Sequence, residues 1–242
     1  MKNITAQALL QQYQIELDQY FSKYADATVA LNTWLSHQFS NTQLRGFLAA
    51  LLNDEACLHD VATRSYQHGN GFLKVVLLDR GYKLRLHIWF AGQSCEENIH
   101  DHRWSFSSLI LAGQLSSEVW KDDAQGKLFQ EFEYHAAAKS KAAFKQNMGQ
   151  NHLSLDHVRV NQAGESYVMP KGQLHRIVNH GEQLVATIMC SAPTEQGTTR
   201  LIPMHDGIDP NIQPPKISPQ QLRAASAQFL THLNTEEICY AA

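Results

Sequence analysis

Residues 164–179 read GESYVMPKGQLHRIVN, and this segment is the most informative about the fold. His175 follows a Pro-x-Gly turn and begins an apolar run, which is typical of a strand entered from a tight turn. Upstream, residues 99–106 read IHDHRWSF, so His100 and His102 are two positions apart. Side chains at that spacing point to the same face of a strand. Three imidazoles that converge inside a small β-barrel would form a metal site with open positions, which distinguishes a catalytic metal from a structural one.

Strand patterns fill the chain from about residue 63 to residue 200. In residues 83–90 apolar side chains alternate with Lys83, Arg85, His87 and Trp89, and the alternation alone does not say which face is inward. Many short strands separated by turns, without helical runs, are typical of an antiparallel barrel or sandwich. The predicted strands cover residues 72–78, 83–90, 106–111, 114–120, 127–134, 152–160, 165–169, 175–179 and 184–191.

Apolar residues at helical spacing precede and follow the strand region. Residues 4–24 read as one helix, Asp26 can cap a second helix, and Asn41 can cap a third with a regular apolar stripe. Ser218 can cap a C-terminal helix that has Pro219 at its first position. We expect the N-terminal helices to form a layer packed on the barrel.

We predict one structural domain with three parts. Residues 1–62 form the helical layer, residues 63–200 the barrel, and residues 201–242 an extended connector and the C-terminal helix. Five of the seven prolines fall between residues 203 and 219, and proline-rich segments favour extended backbone. Residues 136–150 are polar and irregular, so we expect a surface excursion between two halves of the barrel.

Composition excludes several classes of protein. A formal net charge of −3 gives no basic footprint, so nucleic acid is not an expected partner. The four cysteines lie far apart without a C-x-x-C pair, which argues against a zinc ribbon or a disulfide scaffold and fits a reducing cytoplasm. The N-terminus lacks the apolar core of a signal peptide, and no apolar run reaches the roughly 18 residues of a membrane span.

Both histidine stretches match a known pattern. Residues 164–179 satisfy G-x5-P-x-G-x2-H-x3-N at every specified position. The other stretch satisfies the first part of H-x-H-x3-E-x6-G, with Gly113 in place and Phe106 at the glutamate position. These are the two cupin motifs, so the chain resembles the cupin superfamily. The resemblance implies a mainly β fold: a cupin (RmlC-like) antiparallel β-barrel, or jelly roll, with N-terminal helices and a C-terminal helix.

The missing glutamate leaves three neutral ligands. Fe(II) held by three histidines would keep its full double positive charge, unlike iron in a two-histidine, one-carboxylate triad. Such a site favours anionic ligands together with dioxygen. The residues around the histidines resemble those of the cysteine dioxygenase family of thiol dioxygenases. This resemblance implies that Fe(II) binds His100, His102 and His175. It also implies an oxidoreductase that acts on a small substrate with O2. Zinc and nickel stay open as alternatives, because the affinity order does not favour iron.

Other family residues carry over less directly. The family arginine that binds the substrate carboxylate matches Lys74, which could pair with a carboxylate as a point charge. The family cysteine that is crosslinked to a tyrosine in some members aligns with Phe106 or Ser107, so that crosslink is not expected. The family's Ser-His-Tyr relay aligns near residues 187–191, where no histidine or tyrosine stands.

Six residues are candidates for the wall of the substrate pocket. They are Lys74, Arg85, His87, Trp104, Phe106 and Tyr167. Each has a structural alternative: Lys74 could guard an edge strand, and the aromatic residues could simply pack in the core. Asp101 is read as a turn residue or a neighbour of the metal rather than a ligand. The remaining histidines, His68 among them, have no spacing pattern and are read as surface or packing residues.

Three functions follow from these observations. The first is an Fe(II)-dependent dioxygenase-like cupin that acts on a small, anionic substrate, with a thiol as one option. The second is a non-redox metal cupin, an isomerase or lyase in which the metal acts as a Lewis acid. The third is a small-molecule-sensing or structural cupin without catalysis, whose helices serve assembly. A homodimer is kept open in each case.

Overall fold

The computed structural model describes residues 4–135, 144–195, 197–204 and 214–240. The described residues form five helices and twelve strands. The helices are α1 (Ala6–Lys23), α2 (Val29–Gln38), α3 (Asn41–Leu52), α4 (Glu55–Arg64) and α5 (Pro219–Tyr240). No helix in this part of the chain is long and apolar enough to cross a membrane.

The strands build two six-stranded antiparallel sheets, which confirms the predicted mainly β architecture. The first sheet has the order β1-β2-β3-β11-β6-β9, and the second has the order β4-β10-β5-β12-β7-β8, with β10 also pairing β7. The strands are β1 (Tyr66–Gln67), β2 (Leu73–Asp79), β3 (Lys83–Trp89), β4 (Cys95–Glu96), β5 (Ile99–His100), β6 (Phe106–Ala112), β7 (Gln114–His135), β8 (Phe144–Gln162), β9 (Ser166–Met169), β10 (His175–Asn179), β11 (Val185–Ser191) and β12 (Thr199–Ile202).

The helices lie against one face of the first sheet. Leucines of α1, α2 and α3 share one buried core with the alternate apolar residues of β2, β3 and β11. That packing uses the apolar face of β3, so its other face, with Arg85 and His87, points into the barrel. The polar side of the alternating pattern is therefore the inward one, because helices rather than water cover the apolar side.

Two predicted helix caps are wrong by one or two residues. Thr28, not Asp26, caps α2, and its hydroxyl accepts a hydrogen bond from the Ala30 amide at 3.2 Å. Ser40, not Asn41, is the cap residue of α3. The helix α4 was not predicted; the Asp54 carboxylate caps its N-terminus by accepting a hydrogen bond from the Cys57 amide. Asp26 and Asn41 are polar residues close to these termini, which is why the pattern pointed to them.

The strands β7 and β8 form one long hairpin rather than separate short strands. Their pairing runs from Gln114↔Gln162 to His135↔Phe144, with irregularities that include residues 122–127. The irregular excursion predicted for residues 136–150 is therefore wrong from Phe144 onward, and residues 136–143 lie outside the described part. Its polar composition suggested irregular structure, but polar residues also suit a hairpin whose two faces are both exposed to water.

The C-terminal helix begins as predicted. The Ser218 hydroxyl accepts a hydrogen bond from the Gln221 amide at 3.1 Å, and the Gln221 side chain accepts one from the Ser218 amide at 2.7 Å. This reciprocal pair is a capping box. Most of the connector lies outside the described residues, but the Pro215 carbonyl accepts a hydrogen bond from the Gln67 amide at 3.0 Å, so the connector returns to the sheet edge.

Gly113 explains why the first motif ends in glycine. It has φ of +68°, and a Cβ there would lie 2.3 Å from the Leu184 carbonyl oxygen.

We expect Gly113→Ala to lower the free energy of unfolding by about 2 kcal/mol or more, because it adds a backbone clash to left-handed strain. Gly46→Ala is the matched control, since Gly46 is exposed on α3 with open space around it. Urea denaturation should show the control unchanged or stabilised; equal losses in both variants would contradict this account.

Candidate metal centre

Three histidines meet at one end of the second sheet. His100 ends β5 and lies directly opposite His175, the first residue of β10. His102 follows in the loop that leads to β6. The ring centroids are 4.9 Å apart for His100 and His102, 4.7 Å for His100 and His175, and 5.1 Å for His102 and His175. One ligand atom from each ring can lie within 4.8 Å of the other two, so the group could hold a metal ion.

Backbone carbonyls orient two of these rings. Nδ1 of His100 lies 2.9 Å from the Asn98 carbonyl oxygen, and Nδ1 of His175 lies 3.0 Å from the Gln173 carbonyl oxygen. A carbonyl only accepts, so each Nδ1 carries the proton and each Nε2 keeps a free lone pair. A hydrogen bond of this kind is the usual partner of a metal-binding histidine.

Burial keeps His102 and His175 neutral. Desolvation, followed by the charges of His100 and Arg159, lowers the pKa of His175 to about 3. Desolvation also holds the pKa of His102 well below its usual value, with His100 and His175 adding to the effect. Neutral imidazole is the form that binds metals.

Phe106 fills the position where the motif expects glutamate. Its ring centroid is 5.4 Å from that of His102 and 6.1 Å from that of His175. Among the described residues, the candidate metal group contains histidines alone, with no Asp, Glu or Cys. The donor set is therefore three neutral nitrogens beside an apolar wall.

Asp101 is a structural residue and points away from the cluster, as the sequence suggested. Its Oδ1 accepts a hydrogen bond from the Arg200 amide at 2.7 Å. The Arg200 guanidinium binds the Glu131 carboxylate at 2.6 and 2.9 Å and the Asp122 carboxylate at 2.7 and 3.0 Å. This network ties the turn between His100 and His102 to β12 and β7.

The N-terminal helices hold the other end of the same loop. The Ser105 hydroxyl donates to the Asp26 carboxylate and accepts from the Ala27 amide at 2.9 Å. Asp26, predicted as a cap, thus anchors the loop that carries His102. The helical layer contributes in this way to the position of the site.

Lys74 and Arg85 both point into the barrel. The Lys74 ammonium lies 5.5 Å from the Tyr66 ring centroid and 5.3 Å from that of Phe72. Burial, followed by the charge of Arg85, lowers the pKa of Lys74 to about 7. Burial also lowers the pKa of Arg85, whose guanidinium carbon is 5.7 Å from the Trp104 ring centroid. Both side chains lie beside aromatic rings, and a bound anion would favour the charged form of Lys74 as well as pair with Arg85.

Two further candidates present nitrogen atoms with unused hydrogen-bonding capacity. His87 is 7% exposed, and its Nε2 has no hydrogen-bond partner in the described residues. The indole Nε1 of Trp104 is likewise buried and unpaired there. Trp104 stacks on His102 at 5.2 Å with an angle of 18° between the rings. The geometry thus brings Trp104 and Phe106 against the histidines and gathers Lys74, Arg85 and His87 on one inward face.

Tyr167 lies on β9 beside Phe106, with ring centroids 6.1 Å apart. Burial raises the pKa of Tyr167 to about 12, so the phenol stays protonated. Arg159 on β8, which no sequence pattern pointed to, has its guanidinium carbon 5.4 Å from the Tyr167 ring centroid. Arg159 pairs in register with the buried Ser117, which places it on the inward face. No motif includes Arg159; its pairing with Ser117 of β7 is the signal that could have pointed to it.

His68 packs among aromatic rings, in agreement with its reading as a packing residue. It stacks on Phe72 at 4.4 Å, and its Nδ1 accepts a hydrogen bond from the Asn70 amide at 3.2 Å. Burial, followed by the charges of Lys74 and His100, lowers the pKa of His68 to about 2. Glu97 is buried nearby and accepts hydrogen bonds from the Asn70 side chain at 3.0 Å and the Ile177 amide at 3.2 Å.

The low pKa of His68 predicts acid sensitivity. His68 of the unfolded chain binds a proton below about pH 6.5, whereas folded His68 stays neutral. Its contribution to the free energy of unfolding is therefore fully present above that pH and is lost as the pH falls. From pH 7 to pH 5 the free energy of unfolding should fall less in His68→Phe, which keeps the stacking, than in wild type. The two decreases should differ by up to about 2 kcal/mol. Urea denaturation of metal-free protein measures this. The exposed His37→Gln should behave as wild type; an identical pH dependence in His68→Phe would contradict the prediction.

Comparison with known proteins adds no argument about fold or function. No protein-family model and no curated protein matches the sequence. Among solved structures, the chain is similar to an RmlC-like cupin from Shewanella frigidimarina, with 16% identity over 55% of this chain and 86% of that chain and a TM-score of 0.35. It is also similar to the polyketide cyclase RemF from Streptomyces resistomycificus, with 14% identity over 59% of this chain and 82% of that chain and a TM-score of 0.34.

A third similar structure is a cupin-like protein from Thermotoga maritima, with 8% identity over 53% of this chain and 73% of that chain and a TM-score of 0.31. TM-scores this low carry no argument about fold or activity. The cupin fold of this chain stands on its own two antiparallel sheets and on the placement of both motifs. The cysteine dioxygenase subfamily finds no such support.

Proposed function

We propose that this protein is an Fe(II)-dependent dioxygenase-like cupin that acts on a small anionic substrate, with thiols as the first class to test. The observation that carries the proposal is the group of three histidines, which contains no carboxylate ligand among the described residues. A metal bound there keeps its full positive charge and has open positions for an anionic substrate and dioxygen.

The residues present fit a divalent transition metal. His100 and His175 have Nδ1 committed to backbone carbonyls and Nε2 free. His102 is fixed by its stack on Trp104 and its contact with Phe106. Iron, when bound, would supply the redox chemistry with dioxygen. The same nitrogens would also hold zinc or nickel. In the non-redox alternative the bound metal would act as a Lewis acid.

The surrounding side chains favour a negatively charged substrate. Arg85 and Lys74 lie on the inward face of β3 and β2, and Arg85 faces the Trp104 ring that stacks on His102. A substrate carboxylate held by Arg85, Lys74 or both would be oriented towards the histidines. Phe106, Met169 and Met189 form an apolar cluster beside them, with Trp104 and Tyr167 packed against it. This wall would exclude water from the reacting groups.

The chain would handle protons differently from the thiol dioxygenases that it resembles. The positions of their Ser-His-Tyr relay are Thr187, Met189 and Ser191, which lie on the inward face because they pair with His87, Arg85 and Lys83. The phenol of Tyr167 and the indole of Trp104 are the nearby donors that stay protonated, so they would hold substrate oxygens in place rather than remove protons.

Oxygen uptake tests the proposal. Protein loaded with Fe(II) without oxygen is mixed with oxygenated buffer and with cysteine, cysteamine, 3-mercaptopropionate or mercaptosuccinate. We expect uptake with at least one acidic thiol and none with the zinc-loaded protein, because zinc has no redox chemistry. Absence of uptake with every thiol at full iron occupancy would refute the thiol class. Failure to bind iron at all would refute the proposed function.

A further inference from the structure

Arg159 is a second cationic group inside the barrel, separate from Lys74 and Arg85. It belongs to β8 of the second sheet, whereas Lys74 and Arg85 belong to β2 and β3 of the first sheet. Its guanidinium carbon lies over the Tyr167 ring at 5.4 Å. Its Nη1 is buried and finds no hydrogen-bond acceptor in the described part of the chain.

Aromatic rings link each cationic group to the histidines. From Arg85 the contacts run through Trp104, 5.7 Å away, to His102, 5.2 Å further. From Arg159 they run through Tyr167 to Phe106, with centroids 6.1 Å apart, and Phe106 touches both His102 and His175. The two groups therefore approach the candidate metal centre from different walls of the barrel.

A buried guanidinium nitrogen without an acceptor is unfavourable unless an anion completes it. The Tyr167 ring compensates in part through a cation–π contact, which is weaker than a charge-assisted hydrogen bond. Tyr167 itself packs between two apolar clusters of the barrel interior. Arg159 is thus held in place by a half-buried ring while its Nη1 is left for a ligand.

We propose that the substrate carries two anionic groups, one held by Lys74 and Arg85 and the other by Arg159. A small dicarboxylate, or a thiol with two acidic groups, has this chemistry. The inference rests on the proposed function, since it names the substrate class of the same site. Arg159 would act as a specificity residue, because a bidentate guanidinium suits the planar geometry of a carboxylate.

Calorimetry with simple acids tests the inference without any turnover. The probes are succinate, glutarate and adipate, each compared with the monocarboxylate of equal carbon number, on metal-free and zinc-loaded protein. We expect at least one diacid to bind about tenfold tighter than its monoacid, since a second charged hydrogen bond is worth about that much. Arg159→Gln should reduce the difference to about twofold or less, and Arg159→Lys should keep part of it.

Arg80→Gln is the matched control, because Arg80 is exposed at the β2–β3 turn and should leave the preference unchanged. Thermal denaturation of each variant checks folding. Equal binding of diacids and monoacids by wild-type protein would overturn the inference, as would a preference that survives Arg159→Gln. If iron and zinc fail to bind while the diacid preference persists in metal-free protein, the proposed function falls and the inference stands. If a metal binds without such a preference, the inference alone falls.

Discussion

Replacing His175 with alanine is expected to abolish metal binding. His175 is 4% exposed, and its ring centroid lies 4.7 Å from that of His100 and 5.1 Å from that of His102. Loss of an outer hydrogen-bond partner alone weakens a metal site about 10- to 100-fold, so loss of one of three ligands should cost at least about 100-fold in affinity. Metal analysis of anaerobically prepared protein should fall from about one ion per chain to a trace.

The matched control for that variant is His157→Ala. His157 is an exposed histidine of β8 that pairs with Asp156 at 2.8 Å. It should keep full metal content. If His175→Ala bound metal as wild type does while remaining folded by circular dichroism, the three histidines would not be the site.

Phe106→Glu should convert the site into one with three histidines and a carboxylate. Phe106 is 4% exposed, so a charged side chain there should destabilise the metal-free protein by about 3 kcal/mol. Metal should reverse this loss, because the new carboxylate becomes a ligand. The net charge of the metal with its ligands would then be lower by one. We therefore expect the affinity for anionic ligands such as azide to fall by about tenfold or more.

Phe106→Gln separates charge from shape in this experiment. Glutamine has nearly the same size as glutamate but provides no negative charge, so it should destabilise the protein without raising metal affinity. Azide titration of zinc- and cobalt-loaded proteins by absorption or calorimetry gives the comparison. Equal anion affinity in wild type and Phe106→Glu would mean that the charge of the site does not govern its ligands.

The motif glycines and histidines made the fold and the centre predictable. Gly113 is needed where a side chain would strike the Leu184 carbonyl, and Pro170 to His175 form the turn that starts β10. Local spacing encodes both features. Lys74, Arg85 and His87 were recognised as candidates, but their inward direction was not, because it depends on the helices that cover the opposite face of the sheet.

What sequence analysis missed depends on contacts between distant segments. Arg159 faces inward because of its register with Ser117 across the β7–β8 hairpin. Asp26 looked like a helix cap because it stands before α2, yet it binds Ser105, which lies 79 positions away along the chain. His68 had no spacing pattern, and its burial comes from the return of the chain at β2. A single sequence does not encode such pairings in any local pattern.

X-ray absorption spectroscopy of the Fe(II)-loaded protein tests the central claim most directly. The account predicts scattering from three imidazole rings, with the remaining ligands supplied by exchangeable water or added anion and no carboxylate. His175→Ala should lose the imidazole signal along with the iron. Two imidazoles with a bound carboxylate, or iron held outside the His100, His102 and His175 group, would contradict it.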